Sequence, residues 1–126
     1  MTKNLDKEGL CSIVDNYQLF YVDLWGVVHN GISLHKEAIK ALKEITKKGK
    51  EYILLTNAPR PNNVVKNFLR KMGMEEDIIQ HVFTSGEASL SYLKKNLMDK
   101  KFFHVGPSRD IAVSYTHLRA HETSTY

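Results

Sequence analysis

The hydrophobic positions of this chain follow two patterns that alternate along its length. Short apolar runs occupy residues 19–24, 52–56, 79–84 and 102–105, and aromatic or β-branched residues are frequent in them. Between the runs, apolar residues recur at the i, i+3, i+4 and i+7 spacing of one helical face. Strands that alternate with helices predict βαβ units, and therefore a parallel sheet with flanking helices.

The helical stretches have recognisable boundaries. We expect Ser33 to cap the first helix after the opening run and Gly49 to end it. The next helix begins near Pro61 and ends before Gly73. Residues 84–87 read TSGE, the T-x-x-E pattern of a capping box, and they predict the start of a third helix. A weak helix is predicted at 7–15.

The first apolar run ends in an acid, Asp23, which Gly26 and Gly31 follow closely. The composition of the run fits a strand that is buried on both faces. An acid at the end of such a strand must be hydrogen-bonded, paired or metal-bound. Asp23 is therefore a candidate nucleophile or metal ligand. The alternative is an aspartate that only caps a turn.

The second run ends in Thr56-Asn57. Because parallel strands bring their carboxyl ends to one edge of a sheet, we expect Asp23 and Thr56 to face a shared anion pocket. A carboxylate can attack phosphorus or hold a divalent cation, while a hydroxyl and backbone N–H groups bind phosphate oxygens. A doubly wound domain of another type, such as a flavodoxin, is the remaining alternative.

The composition limits the classes of partner that we expect for this chain. The formal net charge is +4, but the lysines are spread over helical faces, which indicates a solvated surface and no nucleic-acid partner. No apolar run reaches the length of a membrane helix, so we expect no membrane partner. The single cysteine, Cys11, excludes an internal disulfide and suits a reducing compartment, so we expect a cytoplasmic protein.

Four stretches together resemble one family. They are VDLWGVVHNG at 22–31, LLTNAPRP at 54–61, TSGEA at 84–88 and HVGPSRD at 104–110. In this order they resemble the haloacid dehalogenase (HAD) superfamily of phosphohydrolases, and within it the NagD-like class IIA branch with a DLWGV start. The resemblance implies an α/β fold with a Rossmann-like core, and a Mg²⁺-dependent hydrolase that acts on a small phosphorylated metabolite.

The resemblance also implies roles for individual residues. Asp23 matches the nucleophile that forms an aspartyl-phosphate and binds Mg²⁺, and the Trp25 carbonyl matches a second ligand of the same ion. Thr56 matches the hydroxyl that holds the transferring phosphoryl group. Gly26 and Asn57 match positions where backbone N–H groups meet phosphate.

Position 25 departs from the family pattern. Family phosphatases usually have a second Asp there, which protonates the leaving group. The indole of Trp25 has one N–H donor and cannot shuttle a proton. Loss of such acid catalysis typically costs about 10²–10⁴-fold in rate. Three interpretations follow: a phosphatase with a good leaving group or another acid, a non-catalytic protein that binds phosphate or a partner, or an indole that only packs over the strand end.

The resemblance also bears on domain organisation. The family's lysine and acidic metal-binding motifs would lie beyond a cap domain. We therefore expect residues 1–112 to be the N-terminal part of a HAD-like core, with the cap and the C-terminal half of the core missing and little activity by itself. Residues 113–126 include VSYTHLRAHET, which resembles a translated sequencing adapter, and we expect a non-native, disordered tail. The longer parent protein is a possible homo-oligomer.

Overall fold

The computed structural model describes residues 4–100, 103–107 and 122–123. The strands are β1 (Leu19–Asp23), β2 (Glu51–Thr56), β3 (Val82–Thr84), β4 (Phe103–His104) and β5 (Glu122–Thr123). The helices are α1 (Leu5–Glu8), α2 (Lys36–Lys47), α3 (Asn62–Lys71), α4 (Glu76–Ile79) and α5 (Ser85–Asn96). Short 3₁₀ turns at Leu10–Ser12 and Val14–Asn16 connect α1 to β1.

The main sheet has the strand order β1-β2-β3, and both of its pairings are parallel. Asp23 lies opposite Leu55, and Thr56 lies opposite Thr84. Strands and helices alternate as the sequence predicts, so the expected α/β class, with a parallel sheet and flanking helices, is confirmed. Within the described residues, β1 pairs with β2 on one side only.

One face of the sheet forms the core. Side chains alternate across a strand, so even-numbered positions of β2 share one face. Tyr52 and Leu54 on that face are buried. Helix α2 packs against β2 through Leu42 and Ile45, and α3 packs against β3 and contributes the fully buried Leu69 to the same hydrophobic cluster.

The odd-numbered residues of β1 are more exposed than the sequence predicts. The sequence predicts a β1 strand that is buried on both faces, with a buried Asp23. In the structure Leu19 is 40% exposed and Tyr21 is 68% exposed, and Asp23 is exposed as well. The prediction is wrong because these side chains point away from the face on which α2 and α3 pack. Asp23 is therefore an accessible acid at a strand end.

Three local predictions also change. The helix predicted at 7–15 is replaced by α1 and the 3₁₀ turns, because Gly9 ends α1 with a φ of 70°. Ser33 does not cap α2, because the N-cap residue of this helix is His35. The Ser33 N–H instead donates to the Asn30 side chain at 2.8 Å. The run at 79–84 divides into the end of α4 and the short strand β3. The helix ends near Gly49 and Gly73 agree with the prediction.

The predicted strand at 102–105 is present as β4, which pairs in parallel with β5. The backbone of β5 is the only described part of residues 113–126, so the proposed tail lies almost entirely outside the described residues and stays a prediction. None of the helices described here has the length and apolar character needed to cross a membrane.

Candidate functional site

A cavity of about 510 Å³ lies at the carboxyl-terminal edge of the sheet. Its lining includes Asp23 from the end of β1, Thr56 and Asn57 from the end of β2, and Thr84 and Ser85 from the β3–α5 junction. We call it the strand-end cavity. The structure therefore brings Asp23, Thr56 and Asn57, which the sequence analysis singles out, to the lining of one cavity.

The backbone after Asp23 folds around one carbonyl oxygen. The Leu24 carbonyl accepts hydrogen bonds from the N–H groups of residues 27, 28 and 29 at 3.4, 2.9 and 3.2 Å. Gly26 has a φ of 78°, in the region that favours glycine. The Gly26 N–H donates to the His29 carbonyl at 2.8 Å, and Gly26 does not line the strand-end cavity. Gly26 thus shapes this loop and is not brought to the cavity with Asp23 and Thr56.

The loop between β2 and α3 is held by the start of α5. The Ser85 hydroxyl and the Gly86 N–H both donate to the Ala58 carbonyl at 3.0 Å. The Thr84 hydroxyl donates to the Arg60 carbonyl at 2.6 Å. Because these bonds reach the main chain of the loop, they fix its course directly after the strand end.

The N-termini of α3 and α5 are also joined to each other. The Thr84 hydroxyl accepts from the Glu87 N–H at 2.9 Å, so the predicted N-cap is confirmed. The Glu87 carboxylate does not complete a capping box, because it accepts from the Asn62 N–H at 2.9 Å. The Asn62 side chain in turn accepts from the Thr84 N–H at 2.9 Å. Each helix start therefore satisfies backbone donors of the other.

His29 is a buried histidine close to the candidate nucleophile. Its Nδ1 accepts a hydrogen bond from the Gly31 N–H at 3.0 Å, so the neutral ring carries its proton on Nε2. Burial is the main cause that lowers the pKa of His29 below its usual value of 6.5. His35 lowers it further, and Asp23 partly opposes both effects. His29 is thus neutral near pH 7.

Trp25 stands at the mouth of a second cavity. The indole is 63% exposed and meets the His29 ring edge to face, with ring centroids 5.5 Å apart. The cavity has a volume of about 350 Å³, and its lining includes Trp25, His29, Thr56, Arg60 and Phe68. We call it the indole cavity. Thr56 contributes to the lining of both cavities.

The oxygen donors near Asp23 suit Mg²⁺ as a partial ligand set. The Asp23 carboxylate is exposed, and no hydrogen bond between described residues ends on the Trp25 carbonyl. Mg²⁺ prefers such oxygen ligands and often keeps several waters. The described part of the chain contains no group of three or more His, Cys, Asp or Glu residues that could hold a metal. The described residues near Asp23 could therefore supply two protein ligands to a Mg²⁺ ion, the Asp23 carboxylate and the Trp25 carbonyl.

Sequence reasoning missed the part that α5 plays in the site. Ser85 lines the strand-end cavity, and the Thr84 and Glu87 side chains hold the neighbouring loop. The T-x-x-E pattern indicated only a helix cap. No spacing in the sequence shows that Glu87 pairs with Asn62, because the two residues are 25 positions apart.

A third cavity, of about 240 Å³, lies away from the strand ends, between α2 and the N-terminal turns. Its lining includes Cys11, Ala41 and Ile45. Its lining contains none of the residues at the carboxyl-terminal edge of the sheet, so it is separate from the candidate site.

The site and the fold can be compared with known proteins. The family model of haloacid dehalogenase-like hydrolases matches residues 20–116. A haloacid dehalogenase-like family hydrolase from Brucella suis 1330 is 33% identical, with a TM-score of 0.76 over 91% of this chain and 41% of that chain. The 4-nitrophenylphosphatase of Thermotoga maritima is 23% identical, with a TM-score of 0.65 over 83% and 40%. NagD from E. coli K-12 is 24% identical, with a TM-score of 0.60 over 79% and 40%. No curated protein matches the chain.

These matches differ in what they establish. The likeness to the nitrophenylphosphatase and to NagD concerns the fold alone, because identity is below 25%. The chain spans about two-fifths of the length of the solved structures it matches, with 41% and 40% for the first two. The family model, in contrast, covers residues 20–116 and with them both strand ends of the candidate site. The chain therefore belongs to the haloacid dehalogenase-like hydrolase family.

Proposed function

We propose that this chain carries the nucleophile side of a Mg²⁺-dependent phosphohydrolase site. The observation that supports the proposal is the strand-end cavity, where Asp23 and Thr56 leave adjacent parallel strands and line one space. An exposed carboxylate at one strand end and a threonine at the next suit a phosphoryl group, which needs a nucleophile and hydrogen-bond donors around its oxygens.

In this proposal Asp23 attacks phosphorus and forms an aspartyl-phosphate, which water later hydrolyses. The Thr56 hydroxyl and the Asn57 N–H donate to the oxygens of the transferring group. The loop that carries them is fixed by the Thr84 and Ser85 hydroxyls, so the donors are positioned before the substrate binds. Such preorganisation lowers the cost of stabilising charge in the transition state.

A bound Mg²⁺ would supply charge neutralisation between the carboxylate and the phosphate. Asp23 and the Trp25 carbonyl would hold it, and solvent or further protein oxygens would complete its ligands. The exposure of Asp23 leaves the approach to this pair of donors open.

We further propose that residues 1–112 are the N-terminal part of a longer class IIA core. The support is the fraction of each solved structure that this chain matches, 41% for the Brucella hydrolase. The substrate of the longer protein would be a small phosphorylated metabolite. An intact copy of the gene tests this: its reading frame should continue past Ala112 with a lysine motif and an acidic motif, and a stop codon directly after Ala112 would contradict the proposal.

A second candidate function is phosphate or partner binding without hydrolysis. The observation in its favour is Trp25, whose indole occupies the position of the acid in family phosphatases. The two candidates differ in turnover by the longer parent protein: a binder takes up inorganic phosphate but does not hydrolyse 4-nitrophenyl phosphate in the presence of Mg²⁺.

Beryllofluoride trapping tests the role of Asp23 directly. Beryllofluoride mimics a phosphoryl group on a carboxylate, so fluorine NMR of the longer parent protein with Mg²⁺ should give a bound signal. We expect Asp23→Asn to remove this signal, because the amide cannot replace the carboxylate oxygen.

Asp99→Asn is the matched control. Asp99 is an exposed acid beyond the far end of α5, and the 12 residues of that helix separate it from the cavity by about 18 Å. This variant should keep the bound signal. A signal that survives in Asp23→Asn would show that the acid at the strand end is not the reacting group, and the proposed function would fail.

A further inference from the structure

Helix α3 begins without a cap of its own. Its N-cap residue is Pro61, which makes no side-chain capping hydrogen bond. The Glu87 carboxylate, in the first turn of α5, accepts from the Asn62 N–H at 2.9 Å and satisfies one of the backbone donors that a helix start leaves open. A carboxylate at this point also suits the positive end of the α3 dipole. Glu87 therefore stabilises the start of a helix to which it does not belong.

Asn62 caps α5 in return. The Thr84 N–H, which a capping box within α5 would pair with Glu87, donates instead to the Asn62 side chain at 2.9 Å. The two helices thus exchange their capping side chains across the loop that follows β2. Because each bond depends on the position of the other helix, we expect the two helix starts to hold each other in place.

The bond to Glu87 is one of a series along this loop. Main-chain groups at every second residue bond to the β3–α5 junction, and these residues are Ala58, Arg60 and Asn62. The groups that reach the first two are hydroxyls and a backbone N–H, whereas the group at Asn62 is the longer side chain of Glu87. The loop is therefore held both directly after Asn57 and where α3 begins.

We propose that Glu87 is a positioning residue for the loop after β2, which carries the phosphate-binding donors. This inference rests on the proposed phosphohydrolase function and adds to it a residue that does not line the strand-end cavity. Glu87 does not touch phosphate. It limits the movement of the loop by fixing the start of α3, so that the Asn57 N–H stays in position for the phosphoryl oxygens.

Substitutions at position 87 separate the hydrogen bond from the charge. Glu87→Gln keeps an oxygen that can accept from the Asn62 N–H but removes the negative charge, whereas Glu87→Ala removes both. We would measure the affinity of the longer parent protein for inorganic phosphate by calorimetry with Mg²⁺, and kcat and KM for 4-nitrophenyl phosphate. We expect Glu87→Ala to weaken phosphate binding about 2- to 10-fold, the range for loss of one hydrogen bond. Glu87→Gln should bind phosphate at least as tightly as the original protein.

A purely structural role of Glu87 predicts a different result. Loss of folded protein would lower kcat and the number of binding sites in proportion, and would leave KM and the phosphate affinity unchanged. Glu75→Ala is the matched control, because the Glu75 carboxylate also joins two elements, through a 2.5 Å bond from Lys43, and lines neither the strand-end cavity nor the indole cavity. An unchanged phosphate affinity in Glu87→Ala, or an equal loss in Glu87→Gln, would overturn the inference.

Amide hydrogen exchange tests the positioning without phosphate. In the 126-residue chain, Glu87→Ala should speed exchange at the Asn62 amide, which loses its acceptor. The informative amide is Gly86, because its acceptor is the Ala58 carbonyl at the other end of the loop. We expect faster exchange there as well in Glu87→Ala, and rates near the original in Glu87→Gln. An unchanged Gly86 amide in Glu87→Ala would show that the bond at Asn62 does not hold the loop near Asn57.

The two experiments separate this inference from the proposed function. If the parent protein neither binds inorganic phosphate nor hydrolyses 4-nitrophenyl phosphate, the proposed function fails, and exchange at Gly86 still decides whether Glu87 positions the loop. If phosphate binds and turnover depends on Asp23, but Glu87→Ala changes neither the affinity nor the exchange at Gly86, the positioning role is refuted and the phosphohydrolase proposal stands.

Discussion

At Gly86, packing and helix propensity predict opposite effects of an alanine substitution on the free energy of unfolding. It lies in the first turn of α5, and its backbone is not in the left-handed region, so alanine can adopt the same conformation. A Cβ at this position would lie 2.6 Å from the Arg60 nitrogen and still closer to the Pro59 carbonyl group. The neighbouring atoms are main chain, so they cannot move aside as a flexible side chain would.

The expected magnitude follows from two terms. Alanine in place of glycine within a helix normally stabilises by about 0.5–1 kcal/mol. Insertion of a methyl group into a filled space costs about 1–3 kcal/mol. Relief of the clash would also lengthen the bond from the Gly86 N–H to the Ala58 carbonyl, which is 3.0 Å in the structure. We therefore expect Gly86→Ala to lower the free energy of unfolding by roughly 1–2 kcal/mol.

Urea unfolding of the full chain measures this change. Ser91→Ala is the matched control, because Ser91 is exposed on the same helix and should show the propensity gain alone, a few tenths of a kcal/mol. If Gly86→Ala is as stable as the original chain or more stable, the close approach of α5 to the loop after β2 does not constrain the fold, and the reasoning about this loop is refuted.

Two further predictions concern buried polar groups. Thr84→Val should lower the free energy of unfolding in urea by about 1–3 kcal/mol, because it removes the hydroxyl bonded to Arg60 and Glu87. Thr84→Ser keeps the hydroxyl and should stay near the original value, so equal losses in the two variants would contradict the prediction. Because burial lowers the pKa of His29, the unfolded chain takes up its proton first, so stability should fall as the pH drops from about 7 toward 5. Thermal unfolding against pH should show a shallower decline in His29→Gln, and an unchanged decline would refute this role of His29.

Much of the fold follows from the sequence because local patterns dominate there. The apolar runs and helical stripes alternate clearly, so a parallel sheet with flanking helices could be expected. The helix that ends near Gly49 and the one that starts at Pro61 were also predictable, since both depend on residues within a few positions.

The features that the sequence could not supply depend on distant contacts. The exposure of Asp23 follows from which face of the sheet α2 and α3 pack on, and composition alone does not determine that choice. The hydrogen bond from the Asn62 N–H to the Glu87 carboxylate joins residues from two different helices. Ser33 was a reasonable cap by residue type, but the Asn30 side chain already accepts its N–H and holds it in a turn.

The two loops that border the candidate site are held in different ways, and this difference bears on how the site could change. The loop after Thr56 is fixed to the start of α5 through main-chain atoms, so its shape depends little on the side chains at its surface. The loop after Asp23 is likewise closed by backbone bonds to the Leu24 carbonyl. Trp25 lies on this second loop, where it forms an isolated β-bridge with His29 and its ring packs against the His29 ring. The backbone bonds that close the two loops do not involve the Trp25 side chain, so we expect a change of this side chain to leave the course of both loops unchanged.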